Sequence, residues 1–560
     1  MATTDTPHHH PTDSGALPSN TTTFPIIHEG ISTDRSTFTA HDVIADIWTS
    51  LDLPASALSA VDLPGSSHAG PVLPSSYRIG CLAQSTIALS ALSAALVHSV
   101  RRTGSRKDEG EEGEEGEAAA APPLPLPRIT VPLRHATASF RSVELCSIIA
   151  PPPTTSSASP PTPQREEEKE EEPSLGGLHP TADGPHGHIR IHTAFPHHRA
   201  RALRLLGLAS SPSPTRAAVD EQTRRWDSRA LEAAALAAGA AMYALRTYAE
   251  WDELCAGADA DCPVNVRRIA SPAFAAPAGG RGGRSAGIAN RPLSALRVLD
   301  VTRVIAGPVA GRALAAHGAD VVWVTPPADV LAPLPGVDRD VARGKRAVAL
   351  DLREAEELER LKGLVASCDV VLQGYRPGSL EARGLGVEEL VKINPRIVVA
   401  DVSAFGGEAG LGEWSGRRGF DSLVQTCSGM NVSEAAHFGK GEEARPMPCQ
   451  ALDHATGYLL AAGVCAAVYK REVEGGGAFC VDVSLAGTAR YLRSLGQYEG
   501  RSGFECEGFA EGEVEGYLEV RESGLGLLKA VRHAASVEGC ETGWDIMPKP
   551  LGSDEAEWQS

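Results

Sequence analysis

The 560-residue sequence has no run of about 18 consecutive apolar residues, so nothing in it reads as a membrane span. Its opening stretch, Met1 to Asn20, carries three consecutive histidines with Pro and Ser but no apolar core, and is not expected to be a secretory signal peptide. Positive charge is in deficit: the net charge is -19, which argues against a nucleic-acid partner. Eleven cysteines include no Cys-x-x-Cys pair and no metal-like spacing. Cys81, Cys368, Cys427 and Cys465 sit among apolar or small residues, as thiols do in a reducing compartment. A cytoplasmic location is expected, with mitochondrion or peroxisome left open because Trp558-Gln-Ser560 is no Ser-Lys-Leu ending.

The acidity is concentrated. Lys107–Glu117 holds seven acids against one base and Arg165–Glu172 six against two, so these two segments carry -10 of the -19. They lie in low-complexity inserts, 103–127 and 151–176, which read as solvated and disordered. Residues 1–40 read as a disordered leader. Residues 41–290 form a first half, and a Gly/Arg/Pro-rich linker between Pro272 and Arg291 divides it from a second half, 291–560. Within the first half, Gly187–His192 alternates like a strand, Arg199–Leu206 reads as a helix that Gly207 ends, and the Ala-rich stretch Ala230–Tyr248 reads as one helix. Two His-rich positions there, His197 and His198, lack a third ligand at metal spacing, so no metal is expected.

A repeat spans the linker. Ala88–Arg101 parallels Gly457–Lys470, and Val131–Ser142 parallels Val483–Ser494 in pattern and in its Arg-Ser ending. In that register Gln84 takes the place of Asp453, so the first half would lack the carboxylate and one working site per chain would remain.

The second half reads as an α/β fold with a parallel, Rossmann-like sheet. Val298–Thr302 is a strand ended by Ala306-Gly-Pro308, Val309–His317 a helix stopped by Gly318, and Asp320–Thr325 the next strand. Ala347–Leu352, Asp369–Gln373 and Arg396–Ser403 add strands, with helices at Glu354–Val365 and Glu388–Ile393. Such a sheet binds ligands beyond its strand C-termini. No Gly-x-Gly-x-x-Gly follows the first strand and no Walker sequence occurs, which excludes a standard dinucleotide or nucleoside-triphosphate site. Beyond the sheet, Gln450-Ala-Leu-Asp453-His-Ala-Thr-Gly457 sets a lone acid at the start of a small-residue helix, where it is either an N-cap or a reactive carboxylate.

Arg297-Val-Leu-Asp-Val-Thr-Arg-Val-Ile-Ala-Gly-Pro308 resembles the opening strand and turn of the class III CoA-transferases, the CaiB–BaiF family. Gly344–Asp351, Gln373–Gly378, Gly384–Gly386, Asn394–Val399 and Gly419–Gly429 fit that family in order ahead of Asp453. The first half resembles only the family's later portions, and more faintly, as a fused two-half form would.

The resemblance implies transfer of coenzyme A from an acyl-CoA to a carboxylic acid. Asp453 would be the nucleophile, passing through a mixed anhydride and an aspartyl-CoA thioester, with no permanently bound cofactor and no metal. Helix N-terminal amides are expected to keep it ionised. Gly374 and Tyr375 align where main chain and an aromatic meet the adenine–pantetheine region, and Val304 and Leu350 align with apolar residues lining that pocket. Arg383 lies one residue from a common basic position. Lys345 and Arg346 either meet phosphates or are solvated. His454 is a weaker candidate for a proton relay. Gly475–Gly477 reads as a turn and Asp421 as a turn cap. Racemase-like members carry His where this chain has Phe420, so acyl-CoA racemisation or isomerisation is the alternative activity, and an inactive CoA-binding relative another. Family chains interlock in pairs, so a homodimer or a pseudo-dimeric monomer is expected, with no membrane partner.

Overall fold

The computed structural model describes residues 33–68, 70–108, 126–150, 175–184, 186–211, 213–255, 261–270, 290–407 and 411–559. Most of the leader and the centres of both inserts therefore lie outside the described residues, as does the linker. Residues 33–39, expected in the leader, are placed: Arg35 is buried and pairs with Asp46 and Asp261 at 2.8 and 2.7 Å, and Thr39 caps the helix Ala40–Ser50.

Short runs of Val, Leu and Ile build the centre. A seven-stranded sheet runs in the order Lys345–Ala349, Asp320–Thr325, Arg297–Val301, Val370–Gln373, Val398–Ser403, Ala478–Ser484 and Val264–Ala270. The first six strands are parallel and the last antiparallel. Parallel strands covered on both faces need apolar side chains on both, hence the unbroken Val-rich runs. On one face Leu299, Val322 and Val348 pack with Leu361, Leu364 and Leu390 of the helices Ala355–Val365 and Val387–Ile393. On the other, Val298, Trp323 and Ala400 meet the helices Ala306–Ala316, Ala451–Val473 and Ile79–Asp108. Chain order reverses between Arg297–Val301 and Val370–Gln373, which places the ligand crevice past the ends of these two strands.

Ile79–Arg102 and Ala451–Val473 are each long and apolar enough to cross a membrane by length and composition, but both are almost wholly buried in the protein, packed on one another. The helix Ala451–Val473 also lies on Ala306–Ala316. A Cβ at Gly457 would stand 2.5 Å from the Ala306 carbonyl oxygen, so glycine sets how closely these two helices approach.

The division into halves is corrected as a division of structure. Val264–Ala270, from the first half, is an edge strand of the second half's sheet, and one apolar core contains Trp48, Leu89 and Phe140 together with Val298, Leu459 and Leu492. Among the described residues before 271 there is no parallel sheet comparable to the central one; the first half instead packs helices and short strands around it. In chain order, helix Ile79–Asp108, strand Ile129–Thr130 and helix Leu133–Ser139 come in one series, and helix Ala451–Val473, strand Ala478–Ser484 and helix Leu485–Ser494 in another. The expected helix Ala230–Tyr248 is also corrected. It ends at Ala238 because Gly239 takes the left-handed conformation, and Met242–Ala244 is a strand, so alanine propensity yields to tertiary pairing.

Candidate active site

Asp453 lies in the first turn of Ala451–Val473 and is only 7 % exposed. Gln450, not Asp453, is the N-cap residue, and no hydrogen bond reaches the Asp453 carboxylate among the described residues. Asp453 and Gly457 are four residues apart and share a helix face, so Asp453 stands beside the start of Ala306–Ala316.

Asp421 supplies the cap. It opens the helix Asp421–Cys427, is fully withdrawn from solvent, and one of its carboxylate oxygens accepts from the Leu452 and Asp453 amides at 2.9 and 3.0 Å. Its other oxygen accepts from Gln425, whose own carbonyl accepts from the Met447 amide and from Asn431, both at 3.0 Å. The turn cap expected at Asp421 is thus a cap on the neighbouring helix. The expectation that Asp453 stays ionised is corrected: its pKa is pushed well up, by burial first and then by the Asp421 charge. Asp421 has hydrogen bonds to support a charge and Asp453 has none, so the pair's negative charge rests on Asp421.

His454 turns away. Its ring is stacked with Phe140 at 5.5 Å, its Nδ1 is buried without a partner, and its pKa is pushed down to about 3, by burial first and then by Arg312. Arg312 belongs to a buried network in which Asp340 accepts from Arg312, Arg343 and Ser142, a first-half residue. A relay between His454 and Asp453 has no geometric support.

At the crevice Gly374 and Tyr375 directly follow the strand Val370–Gln373, and Val304 lies three residues past the strand Arg297–Val301. The Gly374 amide donates to the Val301 carbonyl at 3.3 Å, and a Cβ at Gly374 would lie 3.1 Å from Thr302, so only glycine passes there without displacement. Val304 has φ +71°, a left-handed conformation costly for a β-branched residue and of the kind stored at binding sites. Gly374 is exposed and Tyr375 half-buried, its hydroxyl pKa pushed up to about 12 by burial. Leu350 is buried in the cluster beneath Tyr375, part of the core rather than an open wall. Arg383 donates to the Ser379 carbonyl at 2.8 Å and caps its own turn. Neither expectation for Lys345 holds. It is fully buried, 2.7 Å from both Asp300 and the Pro308 carbonyl. Arg346 is likewise committed, to Asp320 at 2.6 Å and to the Glu557 carbonyl.

Several basic residues near the crevice escaped sequence reasoning. Arg303 is buried with no hydrogen-bond partner for any guanidinium nitrogen, its nearest carboxylate being Asp338 at 3.7 Å. It stands inside the Arg297–Pro308 motif, so a cation at the end of the first strand was the signal available. Arg418 donates to the Gly239 carbonyl, and its pKa is lowered by burial and then by Arg376 and Arg201, so both of these arginines stand within electrostatic reach of it. Gly475–Gly477 all have positive φ and form the turn between Ala451–Val473 and Ala478–Ser484. His192, from the first half, stacks on Phe420 at 3.8 Å. Among the described residues, Asp401, Cys480 and Asp482 hold ligand-type atoms within 4.8 Å of one another, but Arg267 already stands 3.5 Å from Asp482 and no metal is assigned.

Residues 293–503 match the family model described as CoA-transferase family III. Over 196 residues the chain is 35 % identical to "Probable fatty acyl-CoA transferase Rv3272" of Mycobacterium tuberculosis, covering 33 % of this chain and 48 % of that protein. It is 32 % identical over 228 residues to succinyl-CoA:glutarate CoA-transferase of Homo sapiens, covering 38 % and 50 %. A solved CAIB/BAIF family protein from Brucella suis is 27 % identical over 36 % of this chain and 55 % of that one, with a TM-score of 0.32. The chain spans about half the length of the curated relatives it matches. Over residues 293–503 this chain is similar to CoA-transferase family III.

Proposed function

We propose that this protein transfers coenzyme A from an acyl-CoA to a carboxylic acid through an aspartyl-CoA thioester on Asp453. The observation that carries this is the setting of Asp453: a buried carboxyl in a helix's first turn, free of hydrogen bonds and beside the crevice of a domain similar to CoA-transferase family III. A carboxylate oxygen of Asp453 attacks the thioester carbon, the C–S bond breaks, and CoA leaves as thiolate with a mixed anhydride behind. The thiolate then attacks the Asp453 carbonyl carbon and expels the donor acid. The acceptor carboxylate attacks the resulting aspartyl thioester, and the same steps in reverse release the new acyl-CoA. Arg201 and Arg376, each within electrostatic reach of Arg418, together with Arg303, which makes no hydrogen bond, support a ligand carrying phosphates. Relatives named for L-malate, glutarate and oxalate support an acid acceptor. The recurring helix–strand–helix order supports internal duplication, with the first half in the role of a family partner chain.

The test is intact mass after incubation with a panel of short acyl-CoAs and hydroxylamine trapping. A CoA-sized adduct or its hydroxamate at Asp453 is expected. Absence of any adduct from protein that binds CoA overturns the reading.

One observation favours a second activity, acyl-CoA isomerisation. His192 brings an imidazole against Phe420, and burial holds its pKa down to about 4, so the ring is neutral at physiological pH, though a weak base. Exchange of the substrate α-proton for deuterium without any acceptor acid would identify that activity.

A further inference from the structure

The first half contributes a small antiparallel sheet, Gly177–Pro180, His188–Ile191 and Met242–Ala244. Strand side chains alternate. Ile189 and Ile191 enter an apolar cluster with Leu175, Val219 and Leu231. His188, Arg190 and His192 therefore share the opposite face, and that face meets the active-site segment. The His192 ring lies on Phe420, which directly precedes Asp421. Tyr243, opposite Arg190 in the strand register, donates to the Arg418 carbonyl at 2.6 Å and packs on Phe405 and Trp414.

Arg190 is the middle of this face, and it is the anomaly there. Arg246, just past the neighbouring strand, is paired with Glu232 at 2.7 Å, and Arg216 donates to the Gly176 and Leu178 carbonyls. Arg190 is half-buried, yet makes no hydrogen bond and no ion pair among the described residues. It feels the Asp421 charge without pairing with it. The flanking His188 and His192 each leave a buried Nδ1 without a partner. A planar five-donor cation half-buried and left without a protein partner favours an incoming carboxylate, which it can grip with two parallel hydrogen bonds. Asp421, already holding two amides and Gln425, is not free to be that partner.

We propose that Arg190 binds the carboxylate of the acid substrate at the Asp453 site, so that a first-half residue sets acid specificity. The identity of the ligand as an acid substrate rests on the CoA-transfer reading; the existence of an Arg190 carboxylate site does not. Calorimetric titration of the full-length protein, saturated with CoA, with acetate, oxalate, succinate and glutarate tests it, comparing wild type with Arg190→Gln and Arg190→Lys. At least one acid is expected to bind wild type, to lose affinity about 10- to 100-fold in Arg190→Gln, and to recover part of it in Arg190→Lys, with CoA affinity unchanged. A loss confined to dicarboxylates places Arg190 on the non-reacting carboxylate; a loss shared by acetate places it on the reacting one. Failure of every acid to bind wild type, equal binding in Arg190→Gln, or a parallel loss of CoA affinity overturns the proposal. If Arg190→Gln does not fold, Arg190→Lys decides alone, an unchanged acid affinity being the negative result. Acid binding through Arg190 in a protein that forms no Asp453 adduct would overturn CoA transfer while leaving this site standing; an adduct with Arg190-independent binding would do the reverse.

Discussion

One carboxylate oxygen of Asp421 accepts from the backbone amides of both Leu452 and Asp453, at 2.9 and 3.0 Å. The helix N-terminus therefore stabilises charge on Asp421 rather than on Asp453, and the two acids compete for ionisation. Asp453 can act as a nucleophile only once its proton has left, and Asp421 opposes that departure.

The rate of CoA transfer should accordingly rise with pH along a limb whose apparent pKa lies above the ordinary carboxylate range. Asp421→Asn removes the opposing charge and should move this limb down by about one pH unit or more, while weakening the helix cap by about 1 kcal/mol. The check is kcat/KM from pH 5 to 9 for both proteins. A limb that stays in place would mean that burial alone sets the Asp453 pKa.

Asp453→Asn should form no adduct and lose about a thousandfold or more in turnover. Its stability should move the other way. A carboxyl whose folded pKa is raised holds a proton that the unfolded chain releases above about pH 4, so it detracts from stability at higher pH. The variant should melt at or above the wild-type temperature at pH 8, and the difference should vanish near pH 4. A lower melting temperature at pH 8 would show that the Asp453 carboxylate is stabilised by contacts absent here.

The sheet was legible because a parallel sheet covered on both faces demands continuous apolar runs, and Val298, Val321, Val370 and Val398 announce them. The segment holding Asp453 was legible from its small residues, which close helix packing at Gly457 requires. What was not legible depends on contacts distant in sequence. Arg190 looks like any solvated residue in a short alternating strand until His192 is seen on Phe420. Lys345 and Arg346 read as phosphate contacts or solvated charges because sequence cannot show that Asp300 and Asp320 stand beside them. The halves read as separable because Val264–Ala270 bears no mark of the strand it pairs with.

Lys345 offers a sharp case, since a phosphate ligand and a buried ion-pair partner fail differently. Lys345→Met strands the Asp300 carboxylate in the core and should cost about 3–5 kcal/mol, seen as a lower melting temperature or lost soluble yield. Adding Asp300→Leu removes the orphaned charge and should restore much of the stability. CoA affinity in the folded double variant should equal that of wild type. Weakened CoA binding with unchanged stability in Lys345→Met would return the residue to the phosphate role.

A second acid pair bears on stability rather than chemistry. Asp401 and Asp482 face each other on adjacent parallel strands, and the Asp401 carboxyl is pushed up to about 7, by burial first and then by the Asp482 charge. Between about pH 4, where an unfolded Asp releases its proton, and pH 7, the folded protein holds one proton more than the unfolded chain. Stability from this group is thus full below about pH 4 and declines as pH rises, the decline ending near pH 7. Asp401→Asn keeps the neutral form at every pH, so it should gain about 1–3 kcal/mol over wild type at pH 8 and nothing at pH 4. Asp482→Asn, which removes the opposing charge, should shift the same decline to lower pH and leave Arg267 without its 3.5 Å partner. Melting temperatures of the three proteins from pH 4 to 8 decide the matter, because a pair bridged by a bound cation would instead make wild type the most stable of the three at pH 8.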